Sequence, residues 1–193
     1  MNENSSAALK RSAETGLKKC LARLSSVSAG TWEILGVSVS RGTLEDAVKH
    51  HDFKNRAAMV YFNIGGLPPT AAMLFDPGGI ECISKCFMGY SFPRGEVTTQ
   101  AEEVMLLELG NIILNSALNS ALNAFKKSGI PSVPAYLEGN LSRLLGGLGA
   151  GAGVEKYLHV IAATLAIRSD KCEVRSEVLV LVPEELAWEL PVS

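Results

Sequence analysis

The chain has 193 residues, of which 47% are hydrophobic and 20% are charged, and its formal net charge is −2. This length fits one generous domain, or two small halves that share a core. The composition excludes an intrinsically disordered chain. The near-zero net charge provides no electrostatic attraction to nucleic acid or to an anionic membrane surface.

The first half of the sequence predicts a helix followed by antiparallel strands. Apolar residues at helical spacing predict a helix at 6–24, and alternating residues predict a strand at 31–41. The elements expected next are a short helical segment, two strands joined by a turn rich in glycine and proline, a short helix and a loop, at 44–50, 57–64, 70–75, 79–88 and 91–97.

The second half repeats this order. Thr99 and Glu102 fit a capping box at the start of the strongest helix, and Lys126 and Lys127 are expected in its last turn. The glycine run at 146–153 lacks the pattern of a phosphate-binding loop and leads into a strand, which favours a flexible connector. The remaining predictions are strands and a terminal helical turn, at 132–137, 156–168, 172–182 and 183–188.

Two related halves, at about 6–90 and 98–190, therefore follow one another within a single domain that spans 1–193. Each begins with a helix and continues with a strand and a two-stranded hairpin. This order predicts an α+β fold with internal pseudo-symmetry, in which long helices pack on an antiparallel sheet. Neither half is large enough to be stable alone, so we expect them to share one sheet or core.

The four cysteines contain no CxxC pair. Cys82 and Cys86 lie one helical turn apart, which could seed a metal site, but neither a histidine nor a third thiol is near them in sequence. Buried free thiols in a reducing cytoplasm, including Cys20 and Cys172, are the expectation. The paired His50 and His51, and His159 in a predicted strand, are expected to be structural or solvated.

The expected location is the cytoplasm. The first 19 residues lack the apolar segment that secretion requires. No apolar run is expected to reach the ~20 residues of a transmembrane helix.

The helix of the second half carries polar side chains on one face. On a helical wheel, Glu108, Asn111, Asn115, Asn119 and Lys126 fall within an arc of roughly 80°, opposite a broad apolar side. Asparagine is a mediocre helix former, so its repeated use on an exposed face indicates a role for the amide groups. The alternative is that some of these asparagines, Asn123 included, only fill contacts that require a short polar group.

The motif on this helix resembles that of a known family. Glu108 and Asn111, followed by twenty-two residues and Pro134, match the E-x2-N-x22-P signature of the CheC/CheX/FliY phosphatases of bacterial chemotaxis. The surrounding sequence ELGNIILNSALNSA also resembles the family's second helix. One departure is Val104, where the fuller family pattern has Asp or Ser four residues before the glutamate.

Members of the CheC branch carry the motif twice, once in each half. An offset of 94 residues (108 − 14, 111 − 17 and 134 − 40) aligns Glu14, Leu17 and Ser40 with the second-half motif. Asparagine and proline are replaced in this alignment. The resemblance therefore covers nearly the whole chain, with one intact site and one that is expected to be inactive.

The resemblance implies a phosphatase that acts on the phosphoaspartate of a CheY-type response regulator. Asn111 would orient the attacking water, and Glu108 would pair with the active-site lysine of the receiver. The chain itself would hold no cofactor, because the magnesium ion implied by the reaction would lie on the receiver's carboxylates. No nucleic acid and no membrane insertion are expected.

A non-enzymatic binding module on the same scaffold is the alternative. It would bind a response regulator, or a deamidase of the CheD kind, without hydrolysing anything, and Val104 and the altered first motif favour it. Both a monomer and a homodimer remain open, because CheC-like members act as monomers whereas CheX-like members with a single motif form pairs.

Overall fold

The structure is a computed structural model that describes residues 3–49, 56–64, 67–93, 97–152 and 157–184. The first half contains α1, β1, α2, β2, β3, a 3-10 turn and α3, at Glu3–Val27, Thr31–Gly42, Leu44–Lys49, Ala57–Ile64, Leu67–Phe75, Pro77–Gly79 and Ile80–Met88. The second half contains α4, β4, α5, β5 and β6, at Gln100–Ala124, Ala135–Gly139, Leu141–Ala152, Leu158–Ser169 and Cys172–Pro183.

The six strands of the described residues form one antiparallel sheet in the order β1-β5-β6-β3-β2-β4. Each half supplies a central hairpin, and its remaining strand pairs with the hairpin of the other half: β1 lies beside β5, and β4 lies beside β2. The predicted α+β class, with antiparallel strands and pseudo-symmetric halves, is confirmed.

Helices cover both faces of the sheet. The long helices α1 and α4, together with α3, pack on one face around the larger core cluster, which includes Leu17, Phe62, Met73, Leu109 and Ile113. The shorter α2 and α5 cover the other face around a smaller cluster that includes Met59 and Leu148. The two alternating faces of each central strand are therefore both apolar, because both are buried.

From the first helix to the short second helix, the two halves align with an offset of 97 residues. Corresponding helices begin, strands end and short helices begin at positions that differ by this number (100 − 3, 139 − 42 and 141 − 44). Burial follows the same offset, since Leu17 and Leu21 of α1 match Leu114 and Leu118 of α4, and all four are buried. The offset of 94 predicted from the motif is therefore wrong by three residues.

The start of α4 agrees with the prediction, but its end does not. The Thr99 hydroxyl accepts from the Glu102 amide while the Glu102 carboxylate accepts from the Thr99 amide, which confirms the capping box. The helix ends at Ala124, so Lys126 and Lys127 lie beyond its last turn, and Lys126 has a positive φ of 52°. A left-handed residue at this position stops the helix before Gly129.

The glycine-rich segment is mostly helical, contrary to the predicted connector. The Asn140 side chain accepts a hydrogen bond from the Arg143 amide at 3.1 Å and caps α5. Leu144 and Leu148 of α5 are buried in the smaller core. A Cβ at Gly147 would lie 2.6 Å from Leu137, so this glycine permits close packing of α5 on β4. Tertiary packing thus overrides a poor helix propensity.

Two of the cysteines form a disulfide, which corrects the expectation of four free thiols. Cys82 on α3 is bonded to Cys172 at the start of β6, with their Cα atoms 5.9 Å apart. Cys20 and Cys86 are free. The pairing joins positions 90 residues apart, so spacing along the chain contained no sign of it.

By length and composition alone, helix α4 is long and apolar enough to cross a membrane. No segment of this kind was expected from the sequence. Half of its apolar window is buried against the rest of the chain, and core helices of globular proteins commonly pass the same test.

His50, His51 and the predicted turn beyond residue 184 lie outside the described residues. His159 lies in β5 and is buried. The extent of the domain stays a prediction.

Candidate functional site

Close packing on the sheet fixes the position of α4. Gly110, inside the predicted motif, faces β2, and a Cβ there would lie 2.6 Å from Val60 Cγ1 and 2.8 Å from Val60 Cβ. Leu109 and Ile113 are fully buried beside it. The side of the helix that carries Glu108 and Asn111 consequently faces away from the sheet.

Both predicted site residues are accessible on this outward face. Glu108 is exposed and Asn111 is half-buried, one helical turn further along. Asn115 Nδ2 donates to Asn111 Oδ1 at 2.7 Å and to the Asn111 carbonyl oxygen at 2.8 Å. Asn115 therefore restrains the Asn111 side chain in one orientation. The wheel placed Asn115 on this face, but it gave no sign that Asn115 bonds Asn111.

Apolar side chains flank the carboxylate along the helix. Val104 is 60% exposed one turn before Glu108, and Ile112 is 37% exposed one turn after it. The outward stripe of α4 therefore combines two aliphatic side chains with a carboxylate and an amide. Val104 thus lies on the same outward stripe as the motif and offers no polar group to it.

Helices α1 and α4 run antiparallel and meet through small residues. Ser12 Oγ donates to the Ser120 carbonyl oxygen at 2.8 Å, and Ser116 Oγ donates to the Gly16 carbonyl oxygen at 3.0 Å. Cys20 Sγ approaches the Ile112 carbonyl oxygen at 3.7 Å, and burial raises the pKa of this thiol. These contacts hold α1 beside the motif face.

A groove of about 710 Å³ lies along this helix pair. Lys19 and Arg23 line it from α1, while Asn119 and Asn123 line it from α4. Both asparagines are exposed at the groove. Neither is therefore buried in a contact between helices or strands, whereas Asn115, the third residue of that alternative, is half-buried and hydrogen-bonded to Asn111.

The proline of the motif lies just before β4, not inside the predicted strand. Pro134 is half-buried and directly precedes Ala135, where β4 begins beside β2. Further along β4, the Tyr136 hydroxyl donates to Glu138 at 2.8 Å, and burial raises the pKa of Tyr136. Pro134 thus marks the entry into the edge strand of the sheet.

The first half carries no copy of the motif at the equivalent face. With the offset of 97, Arg11 corresponds to Glu108, and Glu14 corresponds to Asn111. Leu17 is 1% exposed and belongs to the core, so it is not the counterpart of Asn111. The equivalent face of α1 therefore carries Arg11 and Glu14, and the inactivity expected of the first half stays a prediction.

The comparisons with solved structures identify the fold. No protein-family model and no curated protein matches the chain. The FliY structure from Thermotoga maritima is similar, with a TM-score of 0.72, 13% identity, and coverage of 98% of this chain and 95% of that one. FliM in a FliG–FliM complex from H. pylori is also similar, with a TM-score of 0.62 and 10% identity, and the match covers 97% of this chain and 98% of that one.

A third similar structure is a CheX–CheY–BeF3–Mg²⁺ complex from Borrelia burgdorferi. Its TM-score is 0.51 at 13% identity, and the match covers 90% of this chain and 97% of that one. The resemblance stated from the motif is therefore confirmed for the architecture: this chain has the fold shared by FliY, FliM and CheX, that of the CheC/CheX/FliY family.

Proposed function

We propose that the chain is a phosphatase that hydrolyses the phosphoaspartate of a CheY-type response regulator. The observation that carries this proposal is the joint placement of Glu108 and Asn111 on the outward face of α4, with the Asn111 amide restrained by Asn115. The fold supports it, because a structure with the same fold contains CheX together with CheY, BeF3 and Mg²⁺.

Asn111 would supply the chemistry by positioning water. A phosphoaspartate is an acyl phosphate and already labile, so the task is to hold a water molecule in line with the phosphorus atom. A carboxamide offers both a donor and an acceptor without a negative charge that would repel the phosphoryl group. Because Asn115 Nδ2 bonds Asn111 Oδ1, the Asn111 Nδ2 group and the second lone pair of Oδ1 are the groups that would contact this water.

Glu108 would fix the position of the receiver. Its exposed carboxylate would pair with the receiver's active-site lysine, and the exposed Val104 and Ile112 would pack against apolar surface around that contact. A charge pair at an interface governs register and association rate more than affinity. The magnesium ion would be held by the receiver, since it takes oxygen ligands from carboxylates and the phosphoryl group.

A binding module without hydrolysis is the second candidate. Val104 favours it, because a valine exposed at this position supplies contact area but no polar support for the motif. The same fold occurs in FliM bound to FliG, so the scaffold is compatible with a binding role. The partner would be a response regulator or a CheD-like protein, and the location in either case would be the cytoplasm.

Turnover separates the two candidates. Radiolabelled phosphoreceivers from the same genome are mixed with a substoichiometric amount of the protein, and the loss of label is followed. Acceleration through many turnovers is expected of a phosphatase. Saturable binding to a beryllofluoride-treated receiver, with no acceleration for any receiver, would reject hydrolysis and leave the binding module.

A further inference from the structure

Three of the four cysteines meet at one place in the fold, between α3 and the start of β6. Cys82 and Cys86 lie one turn apart on α3, and Cys172 begins β6. Their three sulfur atoms all lie within 4.8 Å of one another. The disulfide joins Cys82 to Cys172, and the free thiol of Cys86 is a third sulfur atom beside that bond.

The sulfur cluster is mostly buried and is accessible to solvent from one side. Cys86 is fully buried and Cys82 is 7% exposed, while Cys172 is half-buried and gives access from solvent. A Cβ at Gly30 would lie 2.5 Å from Cys86 Cβ, so the glycine makes room for this thiol. Ser169 Oγ lies 3.2 Å from Cys172 Sγ and adds a polar group at the open side.

We propose that this cluster, when reduced, binds one thiophilic d10 metal ion, with Zn²⁺ as the representative. Three thiolates from a rigid helix and an adjoining strand are a donor set typical of zinc, which prefers sulfur and tetrahedral geometry. Zn–S bonds of about 2.3 Å in a tetrahedral site place sulfur atoms about 3.8 Å apart, and the three sulfur atoms already lie within 4.8 Å of one another with the disulfide formed. Water or an external ligand would complete the fourth position at the half-exposed Cys172 side.

The disulfide is then the metal-free, oxidised form of the same site. A small-molecule disulfide can serve as oxidant. The Cys82 and Cys172 thiolates give up two electrons and form their S–S bond. The small disulfide takes these electrons, its S–S bond breaks, and its two sulfurs take up two protons to become thiols. The ion leaves because two of its three ligands are consumed, and Cys86 takes up one proton.

Cobalt(II) titration of the reduced protein tests the proposal, because cobalt–thiolate bonds give an ultraviolet charge-transfer band that grows with the number of thiolates. The reduced wild type is expected to take up one equivalent with a thiolate band, and the oxidised protein none. Cys86→Ser removes a ligand but spares the disulfide, and it should weaken binding by more than about tenfold, since even outer-shell partners contribute about 10–100-fold. Cys20→Ser, outside the cluster, should bind as the wild type does.

Alkylation of the wild type gives a measurement that does not depend on the folding of a variant. Zn²⁺ added to the reduced protein should slow iodoacetamide labelling of Cys82, Cys86 and Cys172 and leave Cys20 unchanged, as read by mass spectrometry of peptides. Equal labelling of the three with and without Zn²⁺, or a cobalt band that Cys86→Ser leaves intact, would overturn the proposal.

Discussion

Asn115 holds the proposed water-positioning amide through a side-chain hydrogen bond of 2.7 Å to Asn111 Oδ1. Its second bond, to the Asn111 carbonyl oxygen, fixes the Asn115 amide itself within the helix. A partly buried bond of this kind is worth about 1 kcal/mol. Asn115 thus acts on the reaction only through the orientation of Asn111.

Asn115→Ala is expected to lower kcat for receiver dephosphorylation about fivefold, the equivalent of about 1 kcal/mol. KM should stay the same, because the outward surface of Glu108 is unchanged. Steady-state kinetics measure both constants, and Asn119→Ala, one turn further along α4 and exposed, is the control. A rise in KM with unchanged kcat would show that Asn115 contributes to docking instead.

Glu177 on β6 gives the stability a dependence on pH. Burial raises the pKa of this carboxyl, against the hydrogen bond that Thr164 donates to it at 3.0 Å. The pKa of Glu177 is higher in the folded state than in the unfolded state, so the contribution of this group to the free energy of unfolding is fully present below the unfolded-state pKa. It is lost as the pH rises through the folded pKa.

Glu177→Gln should therefore raise the melting temperature at pH 7, since it replaces a desolvated carboxylate by a neutral group of the same shape. The difference from the wild type should shrink toward pH 4, where the native carboxyl is itself protonated. Calorimetric scans across this range measure it. A variant that is less stable than the wild type at pH 7 would contradict the assignment.

At the scale of the element, Gly110 determines how closely the motif helix lies on the sheet. Gly110→Ala should lower the free energy of unfolding by about 1–3 kcal/mol, because its Cβ would overlap Val60 and push α4 outward. Gly146→Ala is the matched control. Gly146 is an exposed glycine of α5, and no atom of the described residues lies within 4 Å of an added Cβ, so this change should stabilise by about 0.5–1 kcal/mol. Urea unfolding compares the two, and equal effects would contradict the packing explanation.

Local signals were sufficient for the elements that carry their own start and stop residues. The capping box at Thr99 and the alternating strands were predictable from sequence, as was the exposed face with Glu108 and Asn111. The helix of α5 was not, because its stability comes from burial of Leu144 and Leu148 and not from glycine-rich local sequence. The hydrogen bond between Asn111 and Asn115 depends on the rotamers of both side chains, which sequence spacing does not encode. The three-cysteine cluster depends on the long-range contact between α3 and the start of β6, which spacing does not encode either.

At the scale of the whole molecule, the halves are interleaved, and their helices and first strands are related by the offset of 97 residues. β1 completes the sheet beside the second hairpin, and β4 does so beside the first. Helices α1 and α4 lie antiparallel on the same face, joined by the contacts of Ser12 and Ser116. The outward face of α1 that carries Arg11 and Glu14 is thus the pseudo-symmetric equivalent of the motif face.

This equivalence can be tested by transplanting the motif. Arg11→Glu with Glu14→Asn, introduced into an Asn111→Ala background, should restore part of the dephosphorylation rate, because it places the E-x2-N pair on the matching face of α1. Leu17→Asn is the control for the offset of 94: it puts an amide into the core, should cost about 2–5 kcal/mol of stability, and should restore nothing. Recovery with Leu17→Asn and none with the double variant would contradict the offset of 97.

The most direct test of the proposed mechanism is the decay of a radiolabelled phosphoreceiver in the presence of Asn111→Ala. We expect this variant to lose the acceleration by about a hundredfold, in line with the loss of one positioning group, while it still binds the beryllofluoride-treated receiver like the wild type. Asn123→Ala, an exposed asparagine three turns further along the same helix, should keep the wild-type rate. A full rate for Asn111→Ala would remove this residue from the reaction and contradict the mechanism.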